Sequence, residues 1–92
     1  MKIILNRCYG GFELSEKALK MLNIEHQWDY EGDIRLNPEV IDIVEKLGKE
    51  ASGRFANLMV VDIPEEATDY IISDYDGVET LYYVIDGKIK QY

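Results

Sequence analysis

Two Asp-Gly pairs near the end of the chain constrain its fold more than any other feature of the sequence. Asp76-Gly77 and Asp86-Gly87 each stand between runs rich in β-branched and aromatic residues. An Asp-Gly pair in that setting favours a two-residue type I′ turn, because both central positions of the turn need a positive φ. The sequence therefore predicts an antiparallel meander with strands at about 69–75, 78–85 and 88–91.

Two-residue turns also fix which residues face each other across the meander. We expect Tyr75 opposite Val78, Asp74 opposite Glu79, Ile72 opposite Leu81 and Tyr70 opposite Tyr83. One predicted face carries Tyr70, Ile72, Leu81, Tyr83 and Ile85, and the other carries Ile71, Tyr75, Val78, Tyr82, Val84 and Ile89. Two short helices can cover only one such face fully, so either the helices divide between the faces or one aromatic face meets a partner. In the plainest alternative, the tyrosines lie at the rim of the core.

The first half of the chain contains signals for one strand and two helices. Residues 2–7 read as a buried strand, and Ser15 is an N-cap candidate for a helix that runs to about Leu22. Residues 24–37 lack a clean period and are expected to form a partly ordered connection. Asn37-Pro38 predicts the start of a second helix, with Gly48 inside it and Gly53 at its end.

A further apolar strand is expected at 58–63, where Pro64 ends it. The expected order of elements is β-α-α-β-β-β in a single domain over residues 1–92. The fold class is α/β (α+β), with a mixed sheet whose C-terminal antiparallel meander is packed by two helices.

The composition indicates a soluble protein of the cytoplasm. The single cysteine, Cys8, cannot form an internal disulfide, so the fold needs no oxidising compartment. The apolar runs are too short for a membrane span or for the core of a signal peptide.

The net charge of −8 argues against direct nucleic-acid binding, which needs basic groups to displace counterions from phosphates. The stretch 62–86 holds eight acidic residues and no lysine or arginine, while the rest of the chain holds ten of each sign. Such a surface would steer association with a basic partner, although simple solubilisation is the alternative. Tyrosines add amphipathic contact area of the type found in interfaces. The predicted partner-binding residues are Asp62, Glu65, Glu66, Asp69, Asp74, Tyr75, Asp76, Glu79 and Tyr82.

A glycine pair after the first strand gives a rival, small-ligand interpretation. A strand, Gly10-Gly11 and a helix that opens near Ser15 form the general layout of an anion cradle, with Arg7 beside it. The sequence has neither of the common phosphate-binding glycine motifs, and Glu13 and Glu16 place negative charge there. The alternative is a tight turn between strand and helix.

No complete catalytic site can be assembled from the remaining residues, and no cofactor or metal is expected. Cys8 would need His26, the only histidine, to act as a nucleophile, and a packed small side chain is the alternative. The carboxylates of Asp74, Asp76 and Glu79 could hold a divalent cation, or they could form a solvated hairpin tip.

Several short blocks carry a resemblance that covers most of the chain except residues 24–36. The segment Arg7-Cys8-Tyr9-Gly10-Gly11-Phe12, with Leu14-Ser15 after it, resembles the opening of a group of small uncharacterised phage and prophage proteins of Gram-positive bacteria. The later blocks follow in the same order: Glu45, Leu47-Gly48, Glu50-Ala51-Ser52-Gly53, Ile63-Pro64, and Tyr75-Asp76-Gly77 with Glu79. The group often has a longer insertion at 24–36, and the tail of this chain also departs from it. The resemblance implies a phage setting and no particular activity.

Together, these observations predict a non-enzymatic acidic binding protein of phage or prophage type. We expect it to act as a stoichiometric inhibitor of a basic host protein, either a nucleic-acid-handling factor or an anti-phage defence factor. The alternative is a module that binds a phosphate or nucleotide at Arg7, Gly10, Gly11 and Ser15. A homodimer joined through the spare aromatic face is compatible with either function, and no membrane partner is expected.

Overall fold

The computed structural model describes residues 1–92 as an α+β fold with two helices and five strands. The elements are β1 (Lys2–Asn6), α1 (Glu16–Leu22), α2 (Pro38–Leu47), β2 (Leu58–Asp62), β3 (Asp69–Tyr75), β4 (Val78–Ile85) and β5 (Lys88–Gln91). The class is as predicted, but the order has one strand more than the predicted β-α-α-β-β-β. All five strands lie in segments for which the sequence predicted a strand, so the predicted order was one strand short of its own segments. Strand β2 pairs with β1 and is separate from the three strands of the meander.

Strands β1 and β2 form a two-stranded antiparallel sheet in the middle of the molecule, with Ile4 opposite Val60. Side chains alternate between the two faces of a strand, and both faces of this sheet are buried. Ile4 packs into a core with the helices, whereas Ile3 and Leu5 pack into a second core with Leu81 of the meander. The central sheet therefore separates a helical layer from the meander.

The two helices begin where the capping signals predicted. The Ser15 hydroxyl accepts a hydrogen bond from the Ala18 N–H at 3.1 Å. The side-chain oxygen of Asn37, Oδ1, accepts one from the Glu39 N–H at 2.9 Å. Helix α2 ends at Leu47, earlier than predicted. Gly48, with φ of +58°, caps it and does not lie inside it, because that left-handed conformation stops an α-helix.

The C-terminal meander β3-β4-β5 has the predicted strands and register. Asp74 lies opposite Glu79, and Tyr70 lies opposite Tyr83. Both Asp-Gly turns have positive φ at each residue, as a type I′ turn requires. Tyr70 and Tyr83 lie half-buried at the edge of the second core, so the rim position holds for these two tyrosines.

Two finer expectations about the sheet are wrong. The strands form two antiparallel sheets and no mixed sheet. The helices pack against β1 and β2 and do not cover the meander, because the core that contains the helices includes no meander residue.

The longest helix, α2, has ten residues, and no helix has the length and apolarity of a membrane span.

Candidate functional site

One face of the meander, its outer face, carries large apolar side chains that the fold leaves exposed. Leu81 and its neighbours on the inner face meet the central sheet, so residues of opposite parity in β3 and β4 point away from the core. Ile71, Tyr75 and Ile89 on this outer face are 66%, 75% and 75% exposed. Side chains of this size are seldom exposed together without a function.

The remaining residues of the outer face are small, β-branched or aromatic. Asp69 is its only charged residue. The other members are Ser73, Val78, Thr80, Tyr82, Val84 and Gln91. With the usual strand spacing this surface is about 20 Å long; it is about 14 Å wide where β5 pairs with β4 and about 10 Å wide at the Asp76 end, where only β3 and β4 contribute. We call this surface, residues 69, 71, 73, 75, 78, 80, 82, 84, 89 and 91, the outer face.

Unpaired carboxylates lie at both ends of the outer face. Asp69 and the Asp86 turn are at one end of the meander, and the Asp76 turn is at the other, next to Asp74, which shares the parity of the inner face. No ion pair involves any of these four residues or Glu66. Their negative charge is therefore not offset by a direct ion pair, and the cations of the meander itself, Lys88 and Lys90, lie on β5.

Two of the predicted partner-binding acids already contact the N-terminal ammonium group. Asp62 and Glu65 accept hydrogen bonds from it at 3.0 and 3.2 Å, and the Ile63 carbonyl oxygen accepts another at 2.8 Å. The bond to Asp62 is the largest influence that raises the pKa of the ammonium group above its usual 8.0. Asp62 and Glu65 remain exposed, but part of their charge is balanced.

Glu79 is buried within the chain, and the structure lends no support to its place among the predicted partner-binding residues. Its side chain is only 3% exposed, because it shares the inward parity of Leu81. Both carboxylate oxygens bind the Arg35 guanidinium, and Oε1 also accepts a hydrogen bond from the Asn6 N–H at 2.7 Å. Glu79 therefore joins the meander to β1 and to the connection before α2.

Arg35 and Asn6 complete this buried polar cluster. Arg35 Nη1 also donates to the Ile4 carbonyl oxygen at 3.0 Å, and the guanidinium lies over the Phe12 ring at 4.6 Å. The Asn6 side-chain NH₂ donates to the carbonyl oxygens of Cys8 and Gly77 at 2.8 and 2.6 Å. Every buried side-chain polar atom has a partner, as expected of a cluster that holds segments of a fold together.

The tip of the β3-β4 hairpin is docked against the glycine pair after β1. The Gly10 N–H donates to the Asp76 carbonyl oxygen at 3.4 Å. A Cβ atom built on Gly77 would lie 2.5 Å from the Gly11 nitrogen and 2.8 Å from the Gly10 nitrogen, so the two turns touch through backbone. This contact and the Glu79 cluster hold the outer face as a rigid platform.

The residues of the predicted anion site are engaged within the chain. Arg7 Nη1 donates to the Glu79 carbonyl oxygen at 2.8 Å, and the Ser15 hydroxyl donates to the Glu50 carbonyl oxygen at 2.6 Å. The Gly10 N–H is used by Asp76, and Gly77 covers the Gly11 nitrogen. Anion binding at this turn stays a prediction, and the geometry lends it no support.

The structure assembles neither of the other two chemical candidates. The His26 ring stacks on Trp28 with centroids 6.1 Å apart, and Cys8 lies in the turn after β1. No group of histidine, cysteine and carboxylate side chains converges as a metal site would require. Asp74 instead accepts a hydrogen bond from the Gly77 N–H at 2.7 Å, and Glu79 faces inward.

Sequence reasoning missed the cluster around Glu79. The sequence did not mark Arg35 as a buried residue, because it lies in residues 24–37, which show no helical or strand periodicity. Glu79 did give one, since its predicted register placed it on the same face as Leu81. A charged residue on a buried face needs a buried partner of opposite charge.

The chain was compared with protein-family models, curated proteins and solved structures. None of them matches it.

Proposed function

We propose that the protein is a non-enzymatic binding module that holds a basic partner protein on the outer face of its meander. The observation that carries this proposal is an exposed apolar face with unpaired carboxylates at both of its ends. Apolar contacts in the middle of such a surface supply affinity, and the surrounding charges steer encounter and select a partner of opposite sign.

The outer face has the composition of an interface centre. Tyr75, Tyr82 and Ile71 present large side chains on regular strands, so little conformational entropy is lost when they are covered. Asp69 is the only charge among them, which keeps the cost of removing water from the centre low. Residues of this type dominate binding energy where they have been tested by alanine substitution.

The acids at the ends of the outer face explain why the partner should be basic. Asp69, Asp76 and Asp86 form no ion pair within the chain. A partner with lysine or arginine at matching positions would be attracted over about 8–10 Å at physiological salt. An acidic or neutral partner would gain nothing there.

The resemblance to phage and prophage proteins suggests the biological setting of this binding. A small acidic protein that covers a basic surface would block it stoichiometrically. In a phage setting, the partner is a host protein with a basic working surface, such as a nucleic-acid-handling or defence factor. This assignment rests on analogy and on charge, as no homologue with an established activity supports it.

The test is capture from a Gram-positive bacterial lysate with three matched proteins. The first is the wild type. The second has Asp69→Asn, Asp76→Asn and Asp86→Asn, which remove three charges while asparagine keeps the turn conformation and the Asp69 side-chain acceptor. The third, with Glu16→Gln, Glu25→Gln and Glu31→Gln, removes three exposed charges elsewhere.

The proposal expects a basic protein that binds the wild type and the Glu→Gln control in a fixed ratio. Its capture should fall at least tenfold with the Asp→Asn variant and should be reversed by high salt. Native mass spectrometry gives the ratio. Equal capture by all three proteins, or no captured protein at all, would contradict the proposed function.

A further inference from the structure

The meander lacks a layer on its outer side, in contrast to the central sheet. The order of layers is helices, central sheet and meander, and nothing packs on the outer face. We infer that the partner presents a single amphipathic basic helix, which lies along the outer face and supplies the missing layer. This inference rests on the proposed function and specifies the partner's element.

The size of the outer face suits one helix. A helix with its side chains is about 10–12 Å across, and about four turns span 20 Å. The outer face, about 20 Å long and about 10–14 Å wide, therefore matches the footprint of one helix lying along the strands. A second copy of the chain would bring the same carboxylates to this face, and the like charges would oppose pairing.

An added strand fits the meander less well than a helix. A strand would have to bind at an edge, through unpaired backbone groups. In β3 the Tyr70 N–H already donates to the Asp69 carboxylate at 2.8 Å. The other edge, β5, is exposed along its whole length and carries Lys88 and Lys90, and lysines on an edge strand oppose strand addition.

The charges define the sequence pattern of the helix. The middle of the outer face is uncharged, so the helix needs an apolar stripe with spacing i, i+3, i+4 and i+7. Carboxylates lie at both ends of the meander. Asp69 and Asp86 are at one end, and Asp74 and Asp76 are at the other. Lysine or arginine at both ends of the stripe would therefore meet a carboxylate.

The test uses designed peptides of about 18 residues that carry this pattern, with leucine, isoleucine or phenylalanine in the stripe. The control peptides have the same composition with the stripe dispersed. Binding is followed by the amide shifts of ¹⁵N-labelled protein and by peptide helicity. Ile71→Ser with Ile89→Ser serves as the variant of the outer face, because both side chains are exposed and the fold does not depend on them.

We expect at least one patterned peptide to become helical and to shift the amides of Ile71, Tyr82 and Ile89. It should bind at least tenfold more tightly than its control, and the double serine variant should abolish that difference. Equal binding of both peptide types, shifts confined to other surfaces, or a wild-type dimer that the serine variant dissociates would overturn the inference. If lysate capture depends on the outer face while no patterned peptide binds, the helix inference fails and the proposed function stands. If capture ignores the Asp→Asn variant, the proposed function fails first.

Discussion

The Glu79 carboxylate accepts hydrogen bonds from both terminal nitrogens of the Arg35 guanidinium, although the two residues are 44 positions apart in the chain. Glu79 is buried, and Arg35 keeps a quarter or less of its side-chain surface in water. Their ion pair ties three segments together, because Glu79 also binds the Asn6 backbone and Arg35 also binds the Ile4 backbone. An acid that the charge pattern assigned to a binding surface thus belongs to the interior.

Replacing Glu79 by alanine should lower the free energy of unfolding by about 3–5 kcal/mol, because the change leaves a partly buried guanidinium without its partner. Asp74, its exposed cross-strand neighbour, provides the control, and Asp74→Asn should cost below about 0.5 kcal/mol. Urea denaturation measures both. Equal, small losses for the two variants would show that the ion pair does not hold the segments together.

Gly77 and Gly87 occupy the same position in two type I′ turns but have different surroundings. Gly87→Ala should cost about 1–2 kcal/mol from the left-handed backbone alone, since nothing lies near its added Cβ. Gly77→Ala should cost about 1–3 kcal/mol more, because its Cβ would meet the Gly10 and Gly11 backbone. The difference between the two thermal or urea transitions measures the contact between the turns, and no difference would argue that the turns are not docked.

The two faces of the meander should respond differently to truncation. Leu81→Ala should lower the free energy of unfolding by about 2–5 kcal/mol, as a large buried side chain is lost. Ile71→Ala, on the opposite face of the neighbouring strand, should cost below about 1 kcal/mol. A large loss for Ile71→Ala would mean that the outer face is covered in the free protein.

Lys2 offers a check on the electrostatics of the central sheet. Its Nζ donates to both carboxylate oxygens of Glu45 at 3.0 Å, and this bond raises the pKa of Lys2 above its usual 10.5. Where the Glu45 carboxylate is ionised, the pair stabilises the fold fully below pH 10.5, and the effect is lost as the pH rises through the raised pKa of Lys2. In Glu45→Gln the pKa of Lys2, followed by NMR of its side chain, should fall towards 10.5, and an unchanged pKa would contradict the ion pair.

Local signals predicted the meander completely. The Asp-Gly turns determine both the strand bounds and the register, because a two-residue turn leaves no freedom in the pairing of its neighbours. The capping residues Ser15 and Asn37 likewise placed both helix starts. These features depend only on residues close together in the chain.

The covered face of the meander could not be predicted, because it depends on contacts between distant segments. Both of its faces are apolar, and only the position of β1 and β2 decides that Leu81 is buried and Ile71 is not. The partner of Glu79 was hidden for the same reason, since Arg35 lies in a segment without a repeating pattern. The membership of the outer face followed from the register, and its role as a binding surface remains a proposal.

The position of β1 in the middle of the molecule has a consequence for synthesis of the chain. Ile3, Ile4 and Leu5 are synthesised more than fifty residues before their pairing strand, β2. The Asn6 N–H finds its Glu79 acceptor 73 residues later. A nascent chain therefore carries β1 as an unpaired apolar strand until those residues emerge, and such strands are prone to aggregate. We expect β1 to need protection in the nascent chain, by the ribosome surface or a chaperone, until β2 and the meander have emerged.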